Sequence, residues 1–119
     1  MTTQLTDTIA LLERGRDRIE AGWIQGGYED KSGAVCALGA IQEENQALDG
    51  RVVQNALIFL DDALSPQEVE RQTSYPYEVD NTPSIVDFND ASGRRKRDVL
   101  RLYKRAIDKA ININDLGLL

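Results

Sequence analysis

The sequence predicts an all-α (mainly) fold: a single compact domain of about four to five helices, with a long loop before the last helix. Three observations carry that prediction. Apolar residues recur at three- and four-residue spacing over several stretches. Helix-boundary signals separate those stretches. The chain has 119 residues, 41% of them apolar and 29% charged, which fits one domain, residues 1–119, with a modest core.

Leu5, Ile9, Leu12, Ile19 and Trp23 form one apolar stripe, so a first helix is expected over 3–22, ending near Gly22. The glycines and charges of 23–33 make a loop. Ala34 to Ile41 is small and apolar, which suits either a buried strand or a close-packed helix. Alanine content and the polar residues after it favour a helix over 34–46. Cys36, Gly39 and Ala40 would then share one face, where small side chains let another backbone approach. Val52, Val53, Ala56, Leu57 and Leu60 predict a helix over 50–63. Ser65-Pro66-Gln67-Glu68 is a helix start with a capping-box pattern, opening a short helix over 66–72. Residues 73–83 read as a long loop carrying Tyr75 and Tyr77. Ser84 to Phe88 reads as a short β-like run anchoring its far end. The last helix is expected over 94–111, with Val99, Leu102, Tyr103, Ala106, Ile107 and Ala110 on its apolar side. Residues 113–119 form a tail.

Composition removes several chemistries. The chain has no histidine and one cysteine, Cys36. That excludes an intrachain disulfide, a multi-cysteine zinc site and a histidine-activated nucleophile. No metal or cofactor is expected. The acidic pairs Glu43-Glu44 and Asp61-Asp62 point in different directions on a helix and read as solvated faces. No apolar run is long enough to span a membrane. The N-terminus lacks the basic-then-apolar order of a signal peptide, so a cytoplasmic protein is expected.

The formal net charge of −6 is unevenly distributed. Residues 1–93 hold 6 basic and 17 acidic side chains, whereas residues 94–119 hold 8 basic and 3 acidic. Either the basic last helix lies against an acidic body, or it offers a face to an acidic partner or a phosphate. Arg94, Arg95, Lys96 and Arg97 stand at the start of that helix, where the macrodipole disfavours cations. These four need a negative partner, inside the fold or outside it. Just before them, Asn89, Asp90 and Ser92 can cap the helix, with Arg94 bracing the turn against Asp90 or Asp87. Cys36 reads first as a small core residue, because no histidine is available to lower its pKa, a task left to a helix N-terminus or Arg94. Trp23 and Tyr28 are expected to pack in or over the core.

Three blocks also carry a family resemblance. They are Trp23-Ile24-Gln25-Gly26 followed by Tyr28, the run Cys36 to Ile41, and Phe88 to Arg94 ahead of an amphipathic helix. Over about 5–112, the chain resembles an uncharacterised family of small actinobacterial and actinobacteriophage proteins. The family pattern tends to have proline where Ser92 stands and threonine where Arg95 stands. The resemblance implies a compact helical domain in a bacterial or phage-infected cytoplasm, and it brings no activity.

Three functions remain open. In the first, the protein binds a host or phage protein through Tyr75, Tyr77, Arg95, Lys96 and Arg97. A homodimer is compatible with this, and direct nucleic-acid binding is not expected, because Glu29 and Asp30 stand beside the aromatics Trp23 and Tyr28 where base stacking needs basic neighbours. In the second, Trp23, Gln25, Cys36, Asn89, Asp90 and Arg94 converge on a small-molecule, nucleotide or phosphate ligand. In the third, the acidic body mimics nucleic acid. Catalysis is not expected.

Overall fold

A computed structural model describes residues 2–42, 50–64 and 84–116. Among these residues five helices occur: α1 (Thr2–Ala21), α2 (Gly39–Gln42), α3 (Gly50–Asp62), α4 (Ser84–Asp90) and α5 (Lys96–Leu116). The mainly helical class expected from the sequence is what the chain adopts. The helix expected over 66–72 and the loop 73–83, with Tyr75 and Tyr77, lie outside the described residues.

Three long helices build the core. α1 packs on α5 and on α3, and α3 also packs on α5. α1 and α5 run antiparallel, since Lys96 at the start of α5 meets Glu20 at the end of α1. The buried face of α5 is the predicted one: Val99, Leu102, Tyr103, Ala106, Ile107 and Ala110 are all inside. α1 buries Leu5, Leu11, Leu12 and Ile19, leaving Ile9 only partly covered. Its stripe is therefore rotated from the predicted one. Gly15 explains the rotation, because a Cβ there would stand 3.0 Å from both Ile41 Cγ2 and Tyr103 Cε2. Its missing side chain leaves space for the Tyr103 ring.

Three segments differ from expectation. Residues 34–46 do not form one helix. Residues 35–38 are buried and non-helical, only Gly39–Gln42 coils, and 43–46 lie outside the described residues. The backbone groups of 35–37 are claimed by distant partners. Val35 N–H donates to the Gly22 carbonyl, and the Val35 carbonyl accepts from Ile24 N–H. Cys36 N–H donates to the Tyr28 carbonyl, and Ala37 N–H to the Asn89 side chain. With those bonds made at long range, alanine's helix propensity loses. The second difference is Ser84–Asp90, a helix rather than a β-like run. Ile85, Phe88 and Asn89 are buried together at i, i+3 and i+4, a helical face disguised by β-branched residues. At the C-terminus, α5 continues to Leu116, so most of the expected tail is helix.

Tyr103 ties α5 to the 35–38 segment. Its side chain is fully buried, and its hydroxyl donates to the Ala37 carbonyl at 2.5 Å. Burial pushes its phenol well above the ordinary tyrosine value of 10.0, the neighbouring Cys36 adds to this, and Arg18 partly opposes it. The folded state therefore favours neutral Tyr103, and this contribution is complete below pH 10 and is lost as the pH rises beyond it. Tyr103→Phe is expected to cost about 1 kcal/mol at neutral pH through the lost hydrogen bond. Thermal melts of both proteins across the alkaline range check this, with wild type's advantage shrinking as tyrosine ionises.

Candidate functional site

The turn after α4 and the loop after α1 meet, and Asn89 is their hub. Its side chain is fully buried at the end of α4. Its Oδ1 accepts from Trp23 Nε1 at 2.7 Å and from Ala37 N–H at 2.9 Å. Its Nδ2 donates to the Ile24 carbonyl at 3.1 Å and to Asp90 Oδ1 at 2.9 Å. An amide offers two donors and an oxygen with two lone pairs, so all four positions are filled by the chain itself. The neighbours reinforce the join. Gln25 Nε2 donates to the Asn89 and Ala91 carbonyls at 2.9 and 3.0 Å. Asp90 Oδ1 also accepts from Gly26 N–H at 3.0 Å. Gly26 has φ +80°, a conformation that side-chain-bearing residues rarely adopt.

Trp23, Gln25, Asn89 and Asp90 thus converge, although more than sixty residues separate the two pairs. Cys36 adjoins them in the same strip of backbone. Its thiol is buried and accepts from Gly39 N–H at 3.2 Å. Arg94 joins from the other side: Nε donates to the Phe88 carbonyl at 2.6 Å, and the guanidinium lies 3.8 Å from the Phe88 ring centroid. It braces the turn through a carbonyl and a ring rather than through Asp90 or Asp87. Asn89 and Asp90 do not cap α5. That task falls to Asp98, whose Oδ2 accepts from Arg95 N–H at 2.9 Å. Tyr28 is not core material; it is 56% exposed.

The loop that carries these groups is itself pinned. Asp30 Oδ1 accepts from Ser32 Oγ, Ser32 N–H and Ala34 N–H at 2.6–3.0 Å. The Ser32 hydroxyl holds the Asp30 carboxyl below its ordinary value of 3.8; burial opposes it, and the backbone N–H groups of Ala34, Ser32 and Gly33 add to the lowering. Gly39 supplies the other pin. A Cβ on Gly39 would sit on the Tyr28 carbonyl oxygen and 2.8 Å from its carbon, so the Tyr28 backbone lies directly against α2. The expected close approach at Gly39 is present, made by loop rather than helix.

One comparison now bears on this arrangement. The model of a family of unknown function, DUF6197, matches residues 3–109. The chain belongs to that family. No curated protein and no solved structure matches it. The matched region of this DUF6197 chain takes in the whole Asn89 hub and most of α5.

The four cations at the start of α5 divide. Lys96 Nζ donates to the Glu20 carbonyl at 3.0 Å and lies 3.7 Å from its carboxylate, at the negative end of α1. Arg94 is engaged with Phe88. Arg95 and Arg97 are exposed, and their side chains make no hydrogen bond or ion pair with the described residues. One turn beyond Arg97, Arg101 is also exposed and without such a partner. Lys104 pairs with Asp108 at 2.9 Å, and Arg105 Nε donates to the Ala63 carbonyl at 3.0 Å.

Sequence reasoning passed over a groove between α1 and α5 in this DUF6197 fold. Its volume is about 370 Å³, and it is lined by Leu100, Ile107, Arg16, Arg101 and Lys104 together with the Glu20 and Asp108 carboxylates. The available signal was Leu100, which falls at the edge of the core stripe next to Ile107. Among the described residues no group of three or more Cys, Asp or Glu comes together as metal ligands, and no helix is long and apolar enough to cross a membrane.

Proposed function

We propose that this DUF6197 protein works by binding another protein in a bacterial or phage-infected cytoplasm, and that the outward face of α5 is the surface it uses. The observation that carries this reading is the Arg97–Arg101 pair. Two exposed guanidiniums stand one helical turn apart, where like charges repel by a few tenths of a kcal/mol. Arg97 also sits in the first turn, against the dipole. Neither has a partner among the described residues, in a chain whose net charge is −6. An acidic partner surface would relieve both penalties and would be steered in by the field.

The Asn89 cluster supports a different role. A ligand pocket there needs polar groups free to bind, and the amide of Asn89 spends all of its capacity within the fold. The cluster therefore reads as the clasp that holds the 22–37 loop against α4, leaving α5 to meet the partner.

Affinity capture from the native cytoplasm tests the proposal, with wild type beside Arg97→Glu/Arg101→Glu. A protein recovered by wild type and lost with the variant, at unchanged melting temperature, is the expected result. The same proteins recovered by both would contradict it.

A further inference from the structure

We infer that the outward face of α3 pairs two copies of this chain, antiparallel and related by a two-fold axis. This contact lies on a different helix from the proposed partner face, and either can fail without the other.

α3 turns Val52, Val53, Ala56, Phe59 and Leu60 inward. Its opposite side carries Arg51, Asn55, Ile58 and Asp62. At about 100° per residue these four fall within an arc of roughly 60°, so they form one stripe along the helix. Ile58 stands inside that stripe and is 50% exposed. A single exposed isoleucine is ordinary on a protein surface. The charges on either side of this one give it a use.

Those charges are wrong for α3 itself. Arg51 stands in the first turn and Asp61 and Asp62 in the last, with no acidic residue at the start and no basic residue at the end. The macrodipole disfavours cations at the start of a helix and anions at its end. Neither aspartate side chain makes a hydrogen bond or ion pair with the described residues. The same charges are right for an antiparallel copy. Arg51 and Asp62 are separated by about 16 Å of helix and share the stripe. A half-turn about the midpoint between them sets each Arg51 opposite the other copy's Asp62. Each pair then lies where it favours both dipoles, the anion at one helix start and the cation at the other helix end. The same operation brings the two Ile58 side chains to within about 4.5 Å along the axis, where they cover each other.

This self-complementarity selects the occupant. A parallel copy would set Arg51 against Arg51 and Asp62 against Asp62. Any other partner would have to supply an anion, an apolar centre and a cation in reverse order at the same spacing, which the chain already carries. The face is small, with one exposed isoleucine between polar side chains, so the dimer belongs with weak, concentration-dependent associations.

Sedimentation equilibrium at concentrations up to about 1 mM tests this, with wild type beside Arg51→Asp, Asp62→Arg and Ile58→Glu. Wild type is expected to dimerise reversibly. Each variant should dimerise at least about tenfold more weakly, the two charge variants because like charges then face each other twice. Asp62→Arg places a cation at the end of α3, where the dipole favours it, so its melting temperature should not fall. An equimolar mixture of Arg51→Asp with Asp62→Arg should recover a dimer containing one of each, because both facing pairs are then of opposite charge. A wild-type chain monomeric throughout, a dimer indifferent to Asp62→Arg or to Ile58→Glu, a mixture that stays monomeric, or an assembly that grows past two would overturn the inference. So would a dimer lost with Arg97→Glu/Arg101→Glu and kept with Asp62→Arg, since α5 would then be the contact between copies.

Discussion

Asn89→Ala is expected to lower stability by about 3–6 kcal/mol, because it strands two or three polar groups at about 1–3 kcal/mol each. The N–H of Ala37 and the carbonyl of Ile24 lose their Asn89 partner inside the protein, and Trp23 Nε1 loses its acceptor. A domain's total stability is only about 5–15 kcal/mol, so the loss is a large share of it. For a chain of this size, roughly 10–20 °C in melting temperature would follow. Asn89→Asp should be about as damaging, since it keeps the shape but turns two donors into acceptors facing the Ile24 carbonyl and Asp90. Trp23→Phe removes a single bond and leaves Asn89 Oδ1 still paired to Ala37, so it should cost only about 1 kcal/mol. Thermal melts of the three variants check this order. Three equal, small shifts would mean that the hub does not hold the two segments together.

Gly39→Ala should reverse the sign that helix propensity predicts. Replacing a helical glycine by alanine ordinarily stabilises a helix by up to about 1 kcal/mol. Here the new methyl meets the Tyr28 carbonyl, which is main chain and cannot swing away as a side-chain tip would. Moving it strains the hydrogen bond from Cys36 N–H to that same carbonyl. Overpacking together with the weakened bond gives an expected loss of about 2–4 kcal/mol. Gly50→Ala is the control, because a Cβ there meets nothing within 4 Å, and it should be neutral or stabilising. Denaturant midpoints of the two variants should move in opposite directions. A stabilised Gly39→Ala would mean that the loop does not press on α2.

The long helices were legible because their information is local. Val52 to Leu60 and Val99 to Ala110 carry the helical period within themselves, and Gly22 marks the end of α1. The 35–38 segment was illegible for the opposite reason. Its backbone bonds go to Gly22, Ile24, Tyr28 and Asn89, and such pairings leave no periodic trace in a sequence. Ser84–Asp90 was obscured by Ile85 and Val86, whose β preference yields once Ile85, Phe88 and Asn89 bury one helical face. Of the candidate site, the residue types were visible and the pairing was not. Asn89 and Asp90 look like caps for the helix that follows them in sequence, yet their partners lie upstream at 23–26. The cations of α5 were visible as a charge anomaly. Only the structure separates Arg94 and Lys96, which are engaged within the fold, from Arg95 and Arg97, which are not.

The central claim is a division of labour: the Asn89 clasp holds the fold, and the α5 face binds. Partner recovery, measured side by side for Trp23→Phe and Arg97→Glu/Arg101→Glu, tests it most directly. The account predicts full recovery with the first variant despite its lower melting temperature, and lost recovery with the second despite an unchanged one. A partner lost with Trp23→Phe and kept with Arg97→Glu/Arg101→Glu would contradict it and make the clasp itself the binding site.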